Sequence, residues 1–216
     1  MFDQNFRIQT GKLFKPLVLK TGLVKLDPDL VTFIGFLFGI GSAGFVLVGQ
    51  NFFGLIFWGV NRVIDGLDGE IARFRSTESN ASSEAGGYLD ITLDFVIYAA
   101  IPIAFGFAVD EKQLWMIIAF LLASFYLNTI TWTYLAALIE KAKSNDVDLK
   151  TSINMPSGII EGAETIFFYS AFFIFFNHLK ILMAALGILV TLTAFIRFVR
   201  SYFALKNLEI QDSKSS

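Results

Sequence analysis

The sequence predicts an all-α integral membrane protein with six transmembrane helices and an N-terminal amphipathic segment at the membrane interface. Of its 216 residues, 55% are hydrophobic and 25 are Phe, a composition too apolar for a soluble domain of this length. The apolar residues form six blocks, most of which approach the ~20 residues that a helix needs to cross the hydrocarbon. The blocks are residues 30–48, 52–64, 95–109, 114–139, 158–176 and 181–205.

Residues 1–25 are predicted to form an interfacial segment ahead of the first helix. Charges are scattered among their apolar residues and there is no small-residue cleavage site, so the segment does not resemble a signal peptide. Phe14 and Val18, set against Lys15 and Lys20, give it an amphipathic pattern. A partly disordered tail is the alternative that this pattern leaves open.

Residues 26–206 are predicted to form one membrane domain, because no internal repeat of the kind found in inverted-repeat transporters is visible. Pro28 falls in the first turn of the first helix. The negative charge of Asp29, in the same turn, interacts favourably with the positive end of the helix dipole. Residues 207–216 are predicted to be a flexible tail. Polar loops are predicted at 76–87 and 143–158.

The distribution of basic residues predicts the orientation in the membrane. Fifteen of the seventeen Lys and Arg residues lie in the N-terminal segment, in 61–90, in 140–157 or at the C-terminal end. Only Lys112 and Lys180 lie in the alternate loops. The positive-inside rule therefore places both termini and the 61–90 region in the cytoplasm. The chain has no cysteine, which excludes disulfides and cysteine-ligated metals, and no nucleic-acid partner is expected.

The stretch NRVIDGLDGEIARFR continues an apolar run but carries charges where a membrane helix should be apolar. Asp65 and Asp68 are three residues apart and therefore share one helix face. Beyond the polar loop, Asp90 and Asp94 are four residues apart and again share a face. Helices joined by a short loop tend to pack side by side and antiparallel, so the four carboxylates are predicted to converge.

The depth of this cluster can be predicted from the length of the second helix. Only the thirteen residues of the apolar block 52–64 precede Asp65, and they span about 20 Å of a core ~30 Å thick. The cluster is therefore expected in the cytoplasmic third of the membrane. Four carboxylates in a partly dry site require compensating cations, and hard divalent ions bound together with substrate phosphates suit such ligands. Two Mg²⁺ ions would neutralise the four charges.

The two charged stretches, DGLDGEIAR and GGYLDITLD, resemble the signature of the CDP-alcohol phosphotransferase family (the CDP-alcohol phosphatidyltransferases). This signature runs Asp, two residues, Asp-Gly, two residues, Ala-Arg, a loop, Gly, three residues, Asp, three residues, Asp. The interval of twelve residues between Arg73 and Gly86 is longer than the family usually shows. The matched positions are Asp65, Asp68, Gly69, Ala72, Arg73, Gly86, Asp90 and Asp94.

The resemblance implies transfer of a substituted phosphate, or phosphatidyl, group from a CDP-linked donor to an alcohol, with release of CMP, in phospholipid synthesis. CDP-diacylglycerol is the expected donor. Two Mg²⁺ ions, with Mn²⁺ as the alternative, would be held by Asp65, Asp68, Asp90 and Asp94, and Asp94 would also act as general base. The resemblance assigns the donor nucleotide to Gly69, Ala72, Arg73 and Gly86. It further implies a homodimer and, for a bacterial-type enzyme, the inner (cytoplasmic) membrane, with the active site cytoplasmic.

The acceptor alcohol is not specified by these motifs, although two further groups of residues are candidates for its pocket. Glu161 and Glu164 are three residues apart near a predicted cytoplasmic helix end, where they either line the acceptor pocket or stabilise the helix N-terminus. Arg197 and Arg200, on the last helix, either bind a phosphate-bearing acceptor or flank the end of a membrane helix.

Arg62 lies next to the signature but outside it. Its predicted role is to extend its charged end towards the lipid headgroups, and contact with substrate is the less favoured alternative.

Two other functions remain as alternatives. One is a CDP-amino alcohol phosphotransferase that acts on a lipid acceptor. The other is a membrane cation transporter, whose intramembrane charges would be expected along a pathway rather than at one depth on two consecutive helices.

Overall fold

The computed structural model of the chain is helical throughout the part that it describes, and no strand occurs there. The described residues are 14–16, 18–20, 22, 26–79, 84–144 and 158–215. A 3₁₀ turn, Phe176–His178, precedes the last helix. Over 26–79, 84–144 and 158–215 there are six α-helices, α1 (Pro28–Leu47), α2 (Asn51–Ser79), α3 (Glu84–Val109), α4 (Lys112–Ser144), α5 (Gly162–Ile174) and α6 (Leu179–Ser215). Residues 14–16 and 18–20 are also helical.

The first helix begins where the sequence predicts it to begin. Pro28 occupies the first turn, where its missing N–H removes no hydrogen bond. Asp27 is the N-cap, and its Oδ1 accepts a hydrogen bond from the backbone N–H of Asp29 at 3.1 Å. The cap fixes the start of α1, which contributes one wall of the site described below.

The prediction of a polar loop over residues 76–87 is wrong at both ends, where the structure has helix. The second helix runs to Ser79 and the third begins at Glu84, so the segment carrying Asp90 is helical from well before that residue. Ser, Thr and Glu lower helix propensity only slightly, and neither Gly nor Pro occurs between 76 and 79 to end the helix. The middle of the predicted loop, 80–83, lies outside the described residues, as does most of the second predicted loop.

Four of the helices are long and apolar enough to cross a membrane, judged by length and composition over the described residues. They are Pro28–Leu47, Glu84–Val109, Lys112–Glu140 and Phe176–Lys206. The 13-residue α5 is shorter, and α2 loses mean hydropathy through the charged half that follows Asp65. The all-α membrane architecture is confirmed, whereas the count of six spanning segments stays a prediction.

The first three helices pack into one group, with α1 against both α2 and α3, while α4 pairs chiefly with α6. The fifth helix contacts α2 and α6 and joins the two groups. Its connections are polar as well as apolar. Trp58 on α2 donates to Ser170 Oγ at 3.1 Å, and the Tyr169 hydroxyl donates to the backbone carbonyl of Tyr98 on α3 at 2.6 Å. These bonds fix α2 and α3 relative to each other, and these two helices carry the aspartates.

A small cluster of apolar residues joins the N-terminal segment to the signature helix. Val18 is 2% exposed and packs with Val31 of α1 and Ile71 of α2. Phe14 lies directly over Gly66, and a Cβ at that glycine would overlap its ring. Lys15 and Lys20 are exposed. The described part of this segment is therefore amphipathic, and its position at the membrane interface stays a prediction.

At the other end of the chain, α6 continues to Ser215, so residues 207–215 extend the helix where a flexible tail is predicted. This stretch contains helix-favouring Leu, Glu, Gln and Lys and lacks Gly and Pro, so nothing in it ends the helix. The boundaries of the predicted domain, 26–206, stay a prediction.

Candidate active site

Three of the four signature aspartates, two from α2 and one from α3, come together beside α1, which packs against both helices. One carboxylate oxygen from each of Asp65, Asp68 and Asp90 lies within 4.8 Å of the other two. Asp68 is buried, and the other two are partly buried. Helical spacing places Asp65 and Asp68 on one face of α2, and their carboxylates approach that of Asp90 on α3. The predicted meeting of carboxylates from the two helices is therefore present in the structure.

The aspartates line a small cavity to which α1, α2 and α3 all contribute. Asp94 lies on its wall with the other three, one helical turn after Asp90. Asn61, which is 2% exposed, donates from Nδ2 to the backbone carbonyl of Gly35 at 2.9 Å and so ties α2 to α1. The remaining lining residues are Thr32, Gly35, Phe36, Leu93 and Ile97.

Arg62 is part of this site, so its predicted role as a snorkelling residue is wrong. Its side chain is 8% exposed, and its Nη2 lies 2.6 Å from Asp94 Oδ1. Its Nη1 donates to Asp94 Oδ2 at 3.2 Å, which completes a two-pronged ion pair. Arg62 faces inward because it lies three residues before Asp65, on the same helix face. This spacing is the sequence signal that could have identified it.

Of the residues that the resemblance assigns to the donor nucleotide, Gly69, Ala72 and Arg73 follow Asp68 on α2, and Gly86 precedes Asp90 on α3. A Cβ at Gly69 would lie 3.6 Å from Arg73 Nη1, so the glycine leaves room beside that guanidinium. Arg73 is largely exposed and donates to Glu70 Oε1 at 2.8 Å. Ala72 is exposed and Gly86 lies in the first turn of α3. Gly69 therefore leaves space beside the guanidinium of Arg73, an exposed cation on the helix that carries Asp65 and Asp68.

Glu161 and Glu164 begin α5 and bond to the backbone there. Glu161 is the N-cap residue, and its Oε1 accepts from the backbone N–H of Gly158 at 3.0 Å. Glu164 Oε2 accepts from the backbone N–H of Glu161 at 3.1 Å. These bonds give both glutamates the helix-stabilising role that the sequence left open. Neither residue is on the described wall of the aspartate cavity.

Arg197 and Arg200 have different environments, although they are three residues apart on α6. Arg197 is 7% exposed, and its Nη1 donates to Asn128 Oδ1 on α4 at 2.6 Å. Within the part of the chain that the structure describes, its Nε has no hydrogen-bond partner. The same is true of the buried Ser201 Oγ, one turn later. Arg200 is exposed. Arg197 is thus a buried cation with donor capacity left over.

The carboxylate cluster fits a divalent cation. Asp65, Asp68 and Asp90 supply only oxygen ligands, which hard cations such as Mg²⁺, Mn²⁺ and Ca²⁺ prefer. The mutual approach of their oxygens in a half-buried site leaves negative charge that a cation would neutralise. Asp94 differs from these three, because both of its oxygens are engaged by Arg62.

Together, the fold and the site define a class of helical membrane proteins in which a carboxylate cluster faces a small cavity between two signature helices. A sequence model of the CDP-alcohol phosphatidyltransferases matches residues 25–199, and the chain belongs to this family. It is therefore a membrane enzyme that transfers a substituted phosphate group from a CDP-linked donor, a class with roles in phospholipid synthesis. This membership favours the transferase over the cation transporter.

Two curated relatives support the same assignment. The chain is 32% identical over 216 residues to the inner membrane protein YnjF of Escherichia coli strain K12, an alignment that covers 98% of this chain and 100% of the relative. It is 31% identical over 97 residues to the bifunctional IPC transferase and DIPP synthase of Thermococcus kodakarensis. The latter match covers 45% of this chain and 21% of that protein.

Solved structures share the fold. The phosphatidylinositol phosphate synthase PgsA1 of Mycobacterium tuberculosis, crystallised with CDP-DAG bound, aligns with a TM-score of 0.67 at 20% identity, over 88% of this chain and 94% of that one. The same synthase in complex with manganese and citrate aligns with a TM-score of 0.63 at 19% identity, over 89% and 88% of the two chains.

Proposed function

We propose that the chain transfers the phosphatidyl group of CDP-diacylglycerol to an alcohol, releasing CMP, with Mg²⁺ bound at the aspartate cluster. The convergence of Asp65, Asp68 and Asp90, with Asp94 one turn further along α3, is the observation that carries this proposal. The donor is supported by family membership and by the CDP-DAG bound to the structurally similar synthase.

Asp65, Asp68, Asp90 and Asp94 are the proposed ligands of two Mg²⁺ ions, with Mn²⁺ as a substitute. When bound, such an ion neutralises the phosphate oxygens of the donor and lowers the charge barrier to nucleophilic attack. The protein contributes position, because α2 and α3 are tied together by the bonds around Tyr98 and Trp58. The manganese in the similar synthase supports a divalent ion here.

Asp94 is the proposed general base. The acceptor hydroxyl oxygen forms a bond to the phosphorus that carries the diacylglycerol, and the bond from this phosphorus to the bridging oxygen of the diphosphate breaks. CMP leaves with the electron pair of that bond, and the hydroxyl proton passes to an Asp94 oxygen. Arg62 holds the Asp94 carboxylate by both oxygens, and each oxygen retains a further lone pair for the proton.

Gly69, Ala72, Arg73 and Gly86 are the proposed binding residues for the donor nucleotide. The room beside Gly69 and the exposed guanidinium of Arg73 support this role, since a phosphate group accepts hydrogen bonds from arginine readily. Arg73 would then exchange its bond to Glu70 for one to the donor.

A phosphate-bearing alcohol is the proposed acceptor, with Arg197 as its binding residue. The unused Nε of this buried guanidinium supports an anionic ligand. Glu161 and Glu164 are committed to the start of α5, which weakens the case for an amino alcohol at that place. Arg200, being exposed, fits the role of a residue that flanks the end of a membrane helix.

The proposed location is the bacterial inner membrane, with the active site and both termini in the cytoplasm. The name of the Escherichia coli relative and the positive-inside distribution of Lys and Arg support it. A homodimer is proposed from family resemblance alone.

The acceptor can be identified by offering alcohols separately to the purified protein in detergent with CDP-diacylglycerol and Mg²⁺. The panel would contain glycerol 3-phosphate, inositol phosphate, serine, inositol and glycerol, and mass spectrometry would detect the phospholipid product. We expect product with one of the two phosphate-bearing alcohols. Product only with an uncharged alcohol would contradict the acceptor proposal. Product only from a CDP-amino alcohol and diacylglycerol would contradict the proposed donor.

A further inference from the structure

The guanidinium of Arg62 has aromatic and polar partners apart from the aspartates. Its Cζ lies 4.8 Å from the ring centroid of Trp58 and 5.5 Å from that of Tyr98, distances at which an aromatic ring attracts a cation. Its Nε donates to Asn61 Oδ1 at 2.8 Å, and its Nη1 donates to the Tyr98 hydroxyl at 3.2 Å. Asn61 is itself bonded to the backbone of α1. Residues of both α2 and α3 therefore hold the guanidinium in place.

The two rings beside Arg62 are themselves fixed by α5. Trp58 stacks on Tyr169 with ring centroids 5.4 Å apart, and it also donates to Ser170. Tyr98 packs edge-on against the same Tyr169 ring at 5.1 Å. Trp58 and Tyr169 are both buried, and side chains packed in this way have little freedom to move. Arg62 thus extends from a rigid frame to which α2, α3 and α5 all contribute.

From this frame, Arg62 holds one carboxylate by both oxygens. Its two terminal nitrogens lie 2.6 and 3.2 Å from the oxygens of Asp94, whereas its Nη1 lies 3.6 Å from Asp65 Oδ2. Two parallel bonds fix the plane of a carboxylate as well as its position, which the point charge of a lysine ammonium does not do. Each Asp94 oxygen keeps a further lone pair. Because Asp94 lines the cavity, those lone pairs remain available to a metal ion and to an acceptor hydroxyl.

We infer that Arg62 is a positioning residue for proton transfer: it holds the Asp94 carboxylate in the plane from which Asp94 accepts the proton of the acceptor hydroxyl. Arg62 acts through Asp94 and keeps its own protons, since a guanidinium does not lose a proton in proteins. A partner that orients a metal-ligating carboxylate commonly contributes about 10–100-fold to activity. The inference rests on the proposed role of Asp94 and deepens it, because it adds a residue that lies outside the signature.

Arg62→Lys is the informative substitution, because it keeps the positive charge and loses the two-pronged contact. Initial rates of CMP release from radiolabelled CDP-diacylglycerol would be measured on the purified full chain in detergent with Mg²⁺, over ranges of donor and acceptor concentration. We expect the turnover rate constant to fall by about 10–100-fold, while both KM values stay within about twofold of the wild type. In the Asp94→Asn background, the same substitution should change turnover by less than about twofold, because the carboxylate that Arg62 holds is absent.

An equal fall in both backgrounds would overturn the inference, because Arg62 would then act independently of Asp94. Wild-type turnover in Arg62→Lys would overturn it too. Should Arg62→Lys fail to fold, Tyr98→Phe takes its place, since it deletes the hydroxyl bonded to Nη1 and keeps the ring. Tyr98→Phe should then lower turnover in the wild-type background and leave it unchanged in Asp94→Asn, and the same fall in both would contradict the inference.

Thermal unfolding without Mg²⁺ or donor is a second readout, independent of activity. The Tm losses of Arg62→Lys and Asp94→Asn should be non-additive in the double variant, since the two side chains share one contact. Additive losses would show that Arg62 does not hold Asp94.

Lys180→Gln is the control, since it removes a cation from an exposed ion pair with Glu111 at 2.8 Å, outside the site, and should leave turnover unchanged. The results also separate this inference from the proposed function. A wild-type protein that releases CMP, together with an Arg62→Lys variant of equal turnover, would contradict the role of Arg62 alone. A wild-type protein that releases no CMP would contradict the proposed function itself.

Discussion

The carboxylate of Asp94 contacts a different group from those of the other three signature aspartates. Asp65, Asp68 and Asp90 face one another, whereas Asp94 faces the guanidinium of Arg62. A carboxylate held at both oxygens has a defined direction, and a general base requires direction towards the hydroxyl that it deprotonates. The three carboxylates that face one another supply only oxygen ligands and are suited to bind a divalent cation.

Asp94→Asn removes the proposed base and preserves the size of the side chain. We expect the rate constant for turnover to fall by about 10²–10⁴, the usual contribution of general acid–base catalysis. The KM for the donor should change little, because the three cluster carboxylates remain. Initial rates of CMP release over a range of donor concentrations measure both quantities. Retention of more than a tenth of the wild-type turnover would contradict the role of Asp94.

Arg197→Gln tests the acceptor pocket. Loss of a hydrogen bond to a charged group costs about 1.5–3 kcal/mol, so the KM for a phosphate-bearing acceptor should rise by about 10–100-fold. The donor KM should remain unchanged. Arg200→Gln, on the same helix but exposed, is the matched control and should change the acceptor KM less than about twofold. Equal effects of the two substitutions would contradict the assignment to Arg197.

At the scale of elements, the signature helix α2 is held on both sides. The first helix packs against it, and the N-terminal segment covers Gly66 with Phe14 and buries Val18 beside Ile71. A glycine at position 66 permits this close approach, since any larger residue would meet the Phe14 ring. The N-terminal segment therefore helps to fix the helix that carries Asp65 and Asp68.

Gly66→Ala tests that contact. The added methyl group must displace Phe14, and overpacking of this kind costs about 1–3 kcal/mol. We expect a lower Tm in detergent and faster proteolysis within the first 25 residues. Gly59→Ala is the control on the same helix, because no described atom lies within 4 Å of a Cβ there. Equal Tm values for the two variants would show that the contact does not stabilise the chain.

The extent of each helix could be predicted only in part, and the reason is physical. Asp65 with Asp68 and Asp90 with Asp94 could be paired from the sequence because helical spacing alone decides which residues share a face. The extension of α2 to Ser79 could not be predicted in this way, because Ser, Thr and Glu neither favour nor end a helix strongly. The burial of Arg62 depends on the approach of α3, which supplies Asp94 and Tyr98 from more than thirty residues away.

For the whole molecule, the helices pack into two groups joined by α5, and the apolar surface of several helices suits a bilayer. Asp65 and Asp68 follow the apolar half of α2, and Asp90 and Asp94 lie in the first half of α3. The basic residues are concentrated on the predicted cytoplasmic side of the membrane, where these aspartates are also expected. At that surface the site would be open to water-soluble acceptors and, from within the membrane, to lipid donors.

The predicted orientation can be measured because the chain contains no cysteine. In bacterial cells expressing the chain, Lys112→Cys, at the first residue of α4, should react with a membrane-impermeant maleimide without disruption of the inner membrane. Lys206→Cys, near the end of α6, should react only after that membrane is permeabilised. Both lysines are exposed in the structure, so burial does not explain a difference. The opposite labelling pattern would invert the proposed topology.

The central claim is that the aspartate cluster catalyses phosphatidyl transfer from a CDP-linked donor. The most direct measurement is CMP release from CDP-diacylglycerol, with Mg²⁺ and the identified acceptor, by the wild type, Asp90→Asn and Asp110→Asn. Asp90 belongs to the cluster and does not bond to Arg62 among the described contacts, while Asp110 is an exposed aspartate at the end of α3. We predict acceptor-dependent release that Asp90→Asn abolishes and Asp110→Asn preserves. Release that survives Asp90→Asn, or no release by the wild type, would contradict the claim.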